Sequence, residues 1–179
     1  MKKFDVIVIG AGPAGYAAAM RAVDFNKRVA LIEKDQLGGA GIHNGALWSK
    51  TLWEISMSAA MLRSHGASLN AKDFDFDLEK ISKEVHQALD GRVSQLSHHM
   101  QDINKVYDQE LFEYIKGTAK VIGKNQVEVV GKDETLLLET DYIILATGSR
   151  PRKLANLPID EETVFTSDGL GSMTQFPKS

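Results

Sequence analysis

A glycine-rich turn at residues 10–15 has the residue types and the spacing that can hold a pyrophosphate. It reads GAGPAG and lies between an apolar run and an alanine-rich run. In a GxGxxG turn the first glycine permits a tight turn, the second lets the backbone approach the phosphates, and the third lets the following helix pack closely on a sheet. The free N–H groups at the start of that helix attract the negative charge. The residues predicted to bind are Gly10, Gly12, Pro13, Ala14 and Gly15.

A carboxylate stands at the distance along the chain that such a site requires. Glu33 ends a second apolar run, residues 28–33, and follows Gly15 by 18 positions. A carboxylate there can accept hydrogen bonds from the ribose hydroxyls of an adenosine, and it would repel a 2′-phosphate. We therefore expect either FAD or NAD, and not NADP, in this pocket. The alternative is a structural glycine turn with Glu33 as a solvated strand end.

These residues need a strand, a helix and a second strand to position them. The apolar residues of 4–9 and 28–33 predict two buried parallel strands. The alanine-rich stretch 14–25 predicts the helix between them. Together they form a βαβ unit, which places the glycine turn at the end of the first strand.

Two longer helices are predicted after this unit. The stretch 49–64 begins with Ser49, whose hydroxyl can accept a hydrogen bond from an N–H group of the first turn. Apolar residues recur at steps of three and four over 78–103, although Gly91 interrupts the pattern. We therefore expect a helical segment over 49–103.

The second half of the sequence predicts mostly strands. Short apolar segments within 111–139, separated by glycine or charged turns, predict an antiparallel β-meander. The apolar run 142–146 predicts a return to a buried strand of the parallel type. Residues 151–179 contain three of the four prolines and no long periodic element, which favours a linker.

A second glycine-rich stretch resembles the redox segment of a known family. Residues 38–50 read GGAGIHNGALWSK, which is similar to the GGxCxNxGCxPSK of the pyridine nucleotide–disulfide oxidoreductases. That family includes dihydrolipoamide dehydrogenase, glutathione reductase and the soluble pyridine nucleotide transhydrogenase. Its two cysteines flank the flavin, and its lysine lies beside the reactive nitrogen of the flavin. The resemblance therefore implies that FAD is the dinucleotide.

Two further segments match the same family in the same order. Residues 142–151, YIILATGSRP, resemble its IIxATGSxP, where the chain passes close to the flavin. Residues 117–119 match its Gly-x-Ala step, whose backbone touches the adenine. Beyond the glycine turn and Glu33, the cofactor-binding residues that the resemblance implies are Lys34, Gly38, Gly39, Lys50, Ala119, Ala146, Thr147 and Gly148.

The sequence departs from the family at the redox cysteines. Gly41 and Ala46 stand at the two cysteine positions, and the chain contains no cysteine. This excludes a dithiol mechanism, a thiolate zinc site and an iron–sulfur cluster within these 179 residues. We therefore expect an acceptor that the flavin reduces directly, such as another pyridine nucleotide, a quinone, a dye or oxygen.

Lys50 is the one residue for which the resemblance implies a catalytic role. It would lie at the flavin and stabilise negative charge on the reduced ring. The alternative is an ordinary lysine in the first turn of a helix, paired with Glu54 at i,i+4. His43 could donate a proton near the flavin, but a single loop histidine is more often simply solvated. Trp48 could stack on an aromatic ligand, although a tryptophan at a helix start more commonly packs.

The composition excludes several other classes of partner. Lys and Arg total 21 against 24 for Asp and Glu, which gives a net charge of −3 and argues against nucleic acid. No stretch approaches the ~20 apolar residues that span a bilayer, and the first residues lack the apolar region of a signal peptide. We therefore expect a cytoplasmic protein without a metal site, whose ligands are small-molecule dinucleotides.

The fold expected from these patterns is α/β. A Rossmann-like FAD-binding domain over 1–150 would combine a mainly parallel sheet, helices and a three-stranded antiparallel meander, and 151–179 would be a linker. The sequence has no counterpart of the family's nicotinamide-binding and interface domains. NAD(P)H, the co-substrate in the family, would therefore bind a further segment, or the chain would act in a homodimer or with a complementing chain.

Three functions stay open at this point. The first is the FAD-binding portion of a flavoprotein oxidoreductase that passes hydride from NAD(P)H to flavin and then to a non-disulfide acceptor. The second is a non-catalytic homologue or partner subunit that binds FAD or only ADP. The third, ranked below both, is an NAD-binding module of the dehydrogenase type.

Overall fold

The computed structural model of the chain describes residues 1–69, 76–107 and 110–176. These residues form two compact units. The first unit comprises Met1–Gly41 and Val93–Ser149, and the second comprises Ile42–Arg92 and Arg150–Ser179. The division into a domain over 1–150 and a linker over 151–179 stays a prediction, and the last three residues of that linker lie outside the described part of the chain.

A six-stranded sheet forms the centre of the first unit. Its strands are β1 (Lys2–Ile9), β2 (Val29–Glu33), β3 (Phe112–Lys116), β4 (Thr118–Gly123), β5 (Gln126–Val130) and β6 (Thr135–Leu145). Across the sheet they lie in the order β3-β2-β1-β6-β5-β4. In this order, the pairs β3–β2, β2–β1 and β1–β6 are parallel. The pairs β6–β5 and β5–β4 are antiparallel. The mainly parallel sheet with a three-stranded antiparallel meander is therefore confirmed.

The apolar runs of β1 and β2 are buried because both faces of this part of the sheet are covered. Ile7 and Val8 are consecutive residues of β1, whose side chains point to opposite faces, and both are fully buried. On one face, side chains of β1, β2 and β3 pack against those of β5 and β6. This cluster comprises Phe4, Ile7, Ile9, Ala30, Ile32, Ile115, Val127, Val129 and Leu138. The meander therefore supplies part of the core of the parallel strands.

Helix α1 (Pro13–Asp24) connects β1 to β2. It begins with a proline, whose fixed φ and missing N–H suit the first position of a helix. Its buried residues are Gly15, Ala19 and Val23, which recur every four positions and therefore lie on one face. The helix ends at Asp24 and is followed by the cap residue Phe25 and then by Asn26, which has a left-handed φ of 55°. The predicted βαβ unit is confirmed.

The remaining helices are α2 (Gly39–Ile42), α3 (Ala46–Leu69), α4 (Leu78–Tyr107) and a 3₁₀ turn (Leu170–Ser172). The two predicted long helices are confirmed, and both extend beyond their predicted ends. Gly91 does not interrupt α4, because it is exposed while Val85 and Leu89 before it keep the buried face. Among the helices in the described part of the chain, none is long and apolar enough to cross a membrane.

The prediction that Ser49 caps its helix is wrong. Helix α3 begins at Ala46, directly after Gly45, which is buried and has a left-handed φ of 88°. The Ser49 N–H already donates to the Gly45 carbonyl at 2.8 Å, as inside a helix. Its hydroxyl donates to the Ala46 carbonyl at 3.1 Å. The glycine that turns the chain into the helix therefore sets the helix start, three residues ahead of the predicted cap.

The predicted meander begins one strand too early. The sequence predicts the segment 111–116 within the antiparallel series, but β3 pairs in parallel with β2. Its residues Phe112 and Ile115 are buried, and Ile115 belongs to the core cluster. A short apolar strand does not specify which edge of a sheet it joins, and here burial beside β2 decides the pairing.

The predicted strands at 135–139 and 142–146 are one continuous strand, β6. Polar residues lie at its middle, where the pattern predicts a break, but Thr140 there is held by hydrogen bonds of its backbone and side chain. The Thr140 N–H donates to the Asn125 carbonyl at 2.9 Å, and the Asn125 side-chain amide donates to the Thr140 carbonyl at 2.7 Å. The buried Thr140 hydroxyl donates to the Tyr142 carbonyl at 2.9 Å. These bonds let the strand continue through its polar centre.

The end of β6 is more exposed than its apolar sequence predicts. Tyr142 and Leu145 are 71% and 69% exposed, so the prediction of a buried strand is wrong for them. Ile143, between them, packs against the core cluster. Within the described residues, this half of β6 pairs with β1 alone, because the pairing with β5 ends at Glu139. One edge of the strand is therefore open.

Candidate functional site

The predicted glycine turn connects β1 to α1 in the first unit. The Gly10 N–H donates to the Ile32 carbonyl at 2.8 Å, which ties the turn to the end of β2. Gly10 has a left-handed φ of 104°, and a Cβ atom on it would overlap the Ala146 carbonyl oxygen. A side chain on Gly15 would overlap the Gly10 carbonyl oxygen and would lie 3.1 Å from the Ala146 side chain. The tight turn and the close helix packing therefore both need glycine.

Gly12 differs from its two neighbours in the motif. It precedes Pro13 at the start of α1 and has an extended backbone, with φ −71° and ψ −177°. No heavy atom lies within 4 Å of the position that a Cβ atom on Gly12 would take. The first N–H groups of a helix, here those of Ala14 and Gly15, have no acceptor within the helix. The open space beside Gly12 therefore adjoins hydrogen-bond donors that favour an anion.

The Glu33 side chain is the only carboxylate among the buried residues in the described part of the chain, with 8% of the residue exposed. Its Oε2 atom accepts a hydrogen bond from the Ala11 N–H at 2.7 Å, and its Oε1 atom accepts one from the Asp35 N–H at 2.8 Å. Its backbone carbonyl accepts from the Gly117 N–H at 2.9 Å. The structure therefore brings Glu33, the glycine turn and the start of β4 together.

Tyr114 on β3 is close enough to Glu33 to respond to its charge. Burial of the half-buried phenol raises its pKa above the ordinary value, and the negative charge of Glu33 raises that pKa further. Neither Ala11 nor Tyr114 belongs to the predicted site. The Ala11 N–H is a backbone donor, which leaves no signal in the sequence. Tyr114 lies two positions before Lys116, the residue of β3 that pairs with Glu33, so the parallel register of β2 and β3 could have indicated that Tyr114 is near Glu33.

The turn after Glu33 brings two more predicted residues to the glycine turn. The Gly38 N–H donates to the Ala11 carbonyl at 2.9 Å, and Gly38 has a left-handed φ of 94°. A side chain on Gly39 would come within 3.1 Å of the Gly12 Cα atom. Lys34 is exposed and lies 3.8 Å from the Asp35 carboxylate. The structure therefore places Gly38 and Gly39 at the candidate site, with Lys34 on the adjoining surface.

The end of β6 borders the same turn. The Ala146 N–H donates to the Ile9 carbonyl at 2.8 Å, immediately before Gly10. Gly148, two residues later, has a left-handed φ of 74°, and a side chain on it would meet no atom within 4 Å. Thr147 lies between them and is exposed. Ala119 is on β4, where it packs against the core cluster, and its role toward adenine stays a prediction.

The second unit contains the one residue predicted to be catalytic. Lys50 is exposed in the first turns of α3, and its role beside a flavin stays a prediction. Trp48, by contrast, is a packing residue, being 5% exposed. The His86 ring meets it edge-on at 5.3 Å, and a Cβ atom on Gly171 would lie 3.2 Å from its indole ring.

Gly41 and Ala46, which stand at the family's two cysteine positions, differ in the space available for a larger side chain. A Cβ atom on Gly41 would overlap the Pro13 ring, which lies in the same unit. Ala46 is the first residue of α3 and is exposed. A side chain at the first position therefore requires movement of α1 at its first residue, whereas a side chain at the second does not.

The chain is similar to a known protein family and to curated members of it. The family described as pyridine nucleotide-disulphide oxidoreductase matches residues 4–178. Dihydrolipoyl dehydrogenase of Chlamydia pneumoniae is 31% identical over 182 residues, which cover 99% of this chain and 37% of the relative. The enzyme of the same name from Zymomonas mobilis is 36% identical over 168 residues, covering 91% and 34% respectively. The chain spans about a third of the length of these curated relatives.

Solved structures share the fold at lower sequence identity. LpdA from Mycobacterium tuberculosis superposes with a TM-score of 0.77 at 21% identity, over 97% of this chain and 37% of the other. The Cu(II) complex of the flavoprotein disulfide reductase RclA from Escherichia coli gives 0.71 at 22% identity, over 97% and 35%. The Rossmann-like architecture is thus confirmed, and the chain belongs to the pyridine nucleotide-disulphide oxidoreductase family.

Proposed function

We propose that this chain is the FAD-binding portion of a flavoprotein oxidoreductase. The family to which it belongs binds FAD and uses NAD(P)H as a co-substrate. The observation that supports the proposal most directly is the open space beside Gly12 at the start of α1, together with the buried carboxylate of Glu33, which accepts a hydrogen bond from the N–H of the neighbouring residue Ala11. In a βαβ unit that binds a dinucleotide, the pyrophosphate needs the open glycine turn at the helix start, and the ribose needs a carboxylate at the end of the second strand.

The residues of the first unit fit the adenosine end of FAD. The N–H groups at the start of α1 would hold the pyrophosphate, and Glu33 would accept hydrogen bonds from the ribose hydroxyls. Gly117 would let the backbone approach the adenine, since its N–H bonds to the Glu33 carbonyl and holds the two segments together. Residues 146–148 would border the flavin end, where Gly148 leaves open space.

Bound flavin supplies the transfer of a hydride equivalent from NAD(P)H to an acceptor, which is chemistry that the side chains alone cannot provide. The contribution proposed for Lys50 is electrostatic. A lysine early in a helix is unfavourable, because its charge opposes the helix dipole. At a flavin the same charge would be favourable, because it would stabilise negative charge on the reduced ring. This role requires that Lys50 lie at the flavin.

We infer that the electrons pass directly from the flavin to the final acceptor. A cysteine pair of this chain cannot relay them, because the sequence contains no cysteine and has Gly41 and Ala46 at the family's two positions. Another pyridine nucleotide, a quinone, a dye or oxygen would serve as acceptor. The nicotinamide-binding and interface regions would come from further residues, from a homodimer or from a complementing chain, since the chain spans about a third of its relatives.

One observation favours a second candidate, a non-catalytic homologue that binds FAD or only ADP. A side chain at Gly41 would overlap Pro13, so the packing against the glycine turn leaves no room for the family's first redox cysteine. The family match over residues 4–178 argues against an NAD-binding dehydrogenase module.

Absorption spectroscopy separates the two candidates. The protein would be purified with added FAD and its visible spectrum recorded. NADH and then NADPH would be titrated into it under anaerobic conditions, and a full-length relative treated in the same way would be the positive control. Bound flavin that is bleached by a nicotinamide supports the oxidoreductase. Bound flavin that stays oxidised even when the nicotinamide-binding region is supplied by a longer or complementing chain supports the non-catalytic homologue, and a protein that binds neither FAD nor ADP contradicts both.

A further inference from the structure

We infer that Glu33 is a positioning residue for the glycine turn, which it holds in shape through the Ala11 N–H, in addition to any contact with a ribose. The inference rests on the proposed dinucleotide function, because it concerns how that site is organised. Ala11 lies between the glycine that makes the turn and the glycine beside the open space. Its orientation therefore decides where the backbone of Gly12 faces.

Both peptide groups of Ala11 are held by residues at the end of β2 and in the turn that follows it. The Ala11 N–H donates to Glu33 Oε2 at 2.7 Å, and the Ala11 carbonyl accepts from the Gly38 N–H at 2.9 Å. Ala11 itself is fully buried. Rotation of either peptide group would therefore break a buried hydrogen bond, and a buried donor without an acceptor is costly.

The second oxygen of Glu33 closes this network. Oε1 accepts from the Asp35 N–H at 2.8 Å, so the carboxylate also fixes the beginning of the turn that leads to Gly38. One side chain thus connects the end of β2, the glycine turn and the segment that supports it from the other side. Hydrogen bonds to a carboxylate are stronger than those between neutral groups, and burial strengthens them further.

The positioning role and the ribose role are compatible. Each oxygen of a carboxylate can accept two hydrogen bonds, and the backbone uses one at each oxygen of Glu33. A ribose hydroxyl can therefore bind without displacing the Ala11 N–H. Substitution of Glu33 alone cannot separate the two roles, but a ligand that lacks the hydroxyls can.

The test compares ADP with 2′,3′-dideoxy-ADP in titration calorimetry of the wild-type protein, Glu33→Gln and the control Glu134→Gln, whose side chain is exposed. The glutamine cannot accept from both N–H groups, because one of its terminal atoms is itself a donor. We expect Glu33→Gln to weaken dideoxy-ADP by about tenfold or more and ADP by at least the same factor, and the control to weaken neither. Loss of ADP affinity with unchanged dideoxy-ADP affinity would overturn the inference.

Amide hydrogen exchange supplies a readout that does not depend on the ligand. In Glu33→Gln at least one of the amides of Ala11 and Asp35 should exchange faster, because only one of them can keep its acceptor, while that of Val8 in β1 should not change. Uniform acceleration across all three would show general destabilisation and overturn the positioning role. If Glu33→Gln does not fold, Glu33→Asp, which keeps the charge but reaches less far, is compared in both measurements, with the same expectations. A wild-type protein that binds neither nucleotide contradicts the proposed function, while the exchange measurement still decides the positioning role.

Discussion

The carbonyl oxygen of Ala146 lies so close to Gly10 that it would overlap a Cβ atom on that residue. The Ala146 N–H donates to the carbonyl of Ile9, the residue before Gly10, at 2.8 Å. The end of β6 and the glycine turn after β1 are therefore in direct backbone contact, although they are far apart in the sequence. The glycine turn and residues 146–148, which the sequence suggests as separate motifs, thus lie together at the carboxyl ends of the parallel strands, where ligands of open α/β sheets bind.

Gly10→Ala should destabilise the fold because of this contact. Its left-handed φ and the overlap with Ala146 together should lower the free energy of unfolding by about 2–4 kcal/mol, measured by urea denaturation. Gly91→Ala is the matched control, since Gly91 is exposed within α4 and a Cβ atom there meets nothing within 4 Å. It should raise the free energy of unfolding by about 0.5–1 kcal/mol. Equal effects of the two substitutions would contradict this packing.

Stability should fall at alkaline pH in a way that depends on Tyr114. Its pKa in the folded protein is raised, chiefly by burial and then by Glu33, so the unfolded chain loses this proton first. Its contribution to stability is therefore complete below about pH 10, the ordinary tyrosine pKa, and is lost as the pH rises through the folded pKa. Tyr114→Phe should reduce the fall in unfolding free energy between pH 9 and 11, whereas Tyr142→Phe, at an exposed residue, should not. Parallel curves for wild type and Tyr114→Phe would refute the assignment.

The two cysteine positions of the family should tolerate side chains unequally. Gly41→Cys should lower the free energy of unfolding by about 1–3 kcal/mol under reducing conditions, because its Cβ atom would overlap Pro13. Ala46→Cys, at an exposed residue, should change it by less than about 0.5 kcal/mol. Adding Pro13→Ala to the Gly41→Cys protein should recover part of the loss. No recovery would mean that the Pro13 ring is not the obstacle.

Nucleotide selectivity should follow the charge of Glu33. A 2′-phosphate beside this buried carboxylate would be repelled, so ADP that carries one should bind at least about fivefold more weakly than ADP in titration calorimetry. The ratio should shrink in Glu33→Gln, even though both affinities fall. An unchanged ratio would indicate that the ribose lies away from Glu33.

The βαβ unit and the glycine turn could be predicted because their information is local. Apolar runs, the spacing from Gly15 to Glu33 and the small residues of α1 each specify a short stretch of backbone. The strand pairings could not be predicted in the same way. Phe112 and Ile115 mark a buried strand but not its neighbour, and the polar pair at 140–141 suggests a break that hydrogen bonds with Asn125 remove.

The contacts that organise the site were the hardest to predict, since they involve backbone groups. Nothing in the residue type of Ala11 indicates that its N–H binds Glu33, or that its carbonyl binds Gly38. The overlap between Gly41 and Pro13 likewise depends on the path of two segments that are separate in the sequence. The glycine motif therefore predicts which residues lie together at the site, whereas the hydrogen bonds and contacts between them depend on the fold.

The central claim, a dinucleotide site beside Gly12, is tested most directly by titrating FAD and ADP into the wild-type protein and Gly12→Val. Apart from its chain neighbours, no heavy atom lies within 4 Å of the position of a Cβ atom on Gly12, so we expect the variant to fold with an unchanged unfolding midpoint. It should bind both nucleotides about 100-fold more weakly or worse, because losing two hydrogen bonds to a charged phosphate costs about 3 kcal/mol. Retention of wild-type affinity in a folded Gly12→Val protein would show that the dinucleotide binds elsewhere.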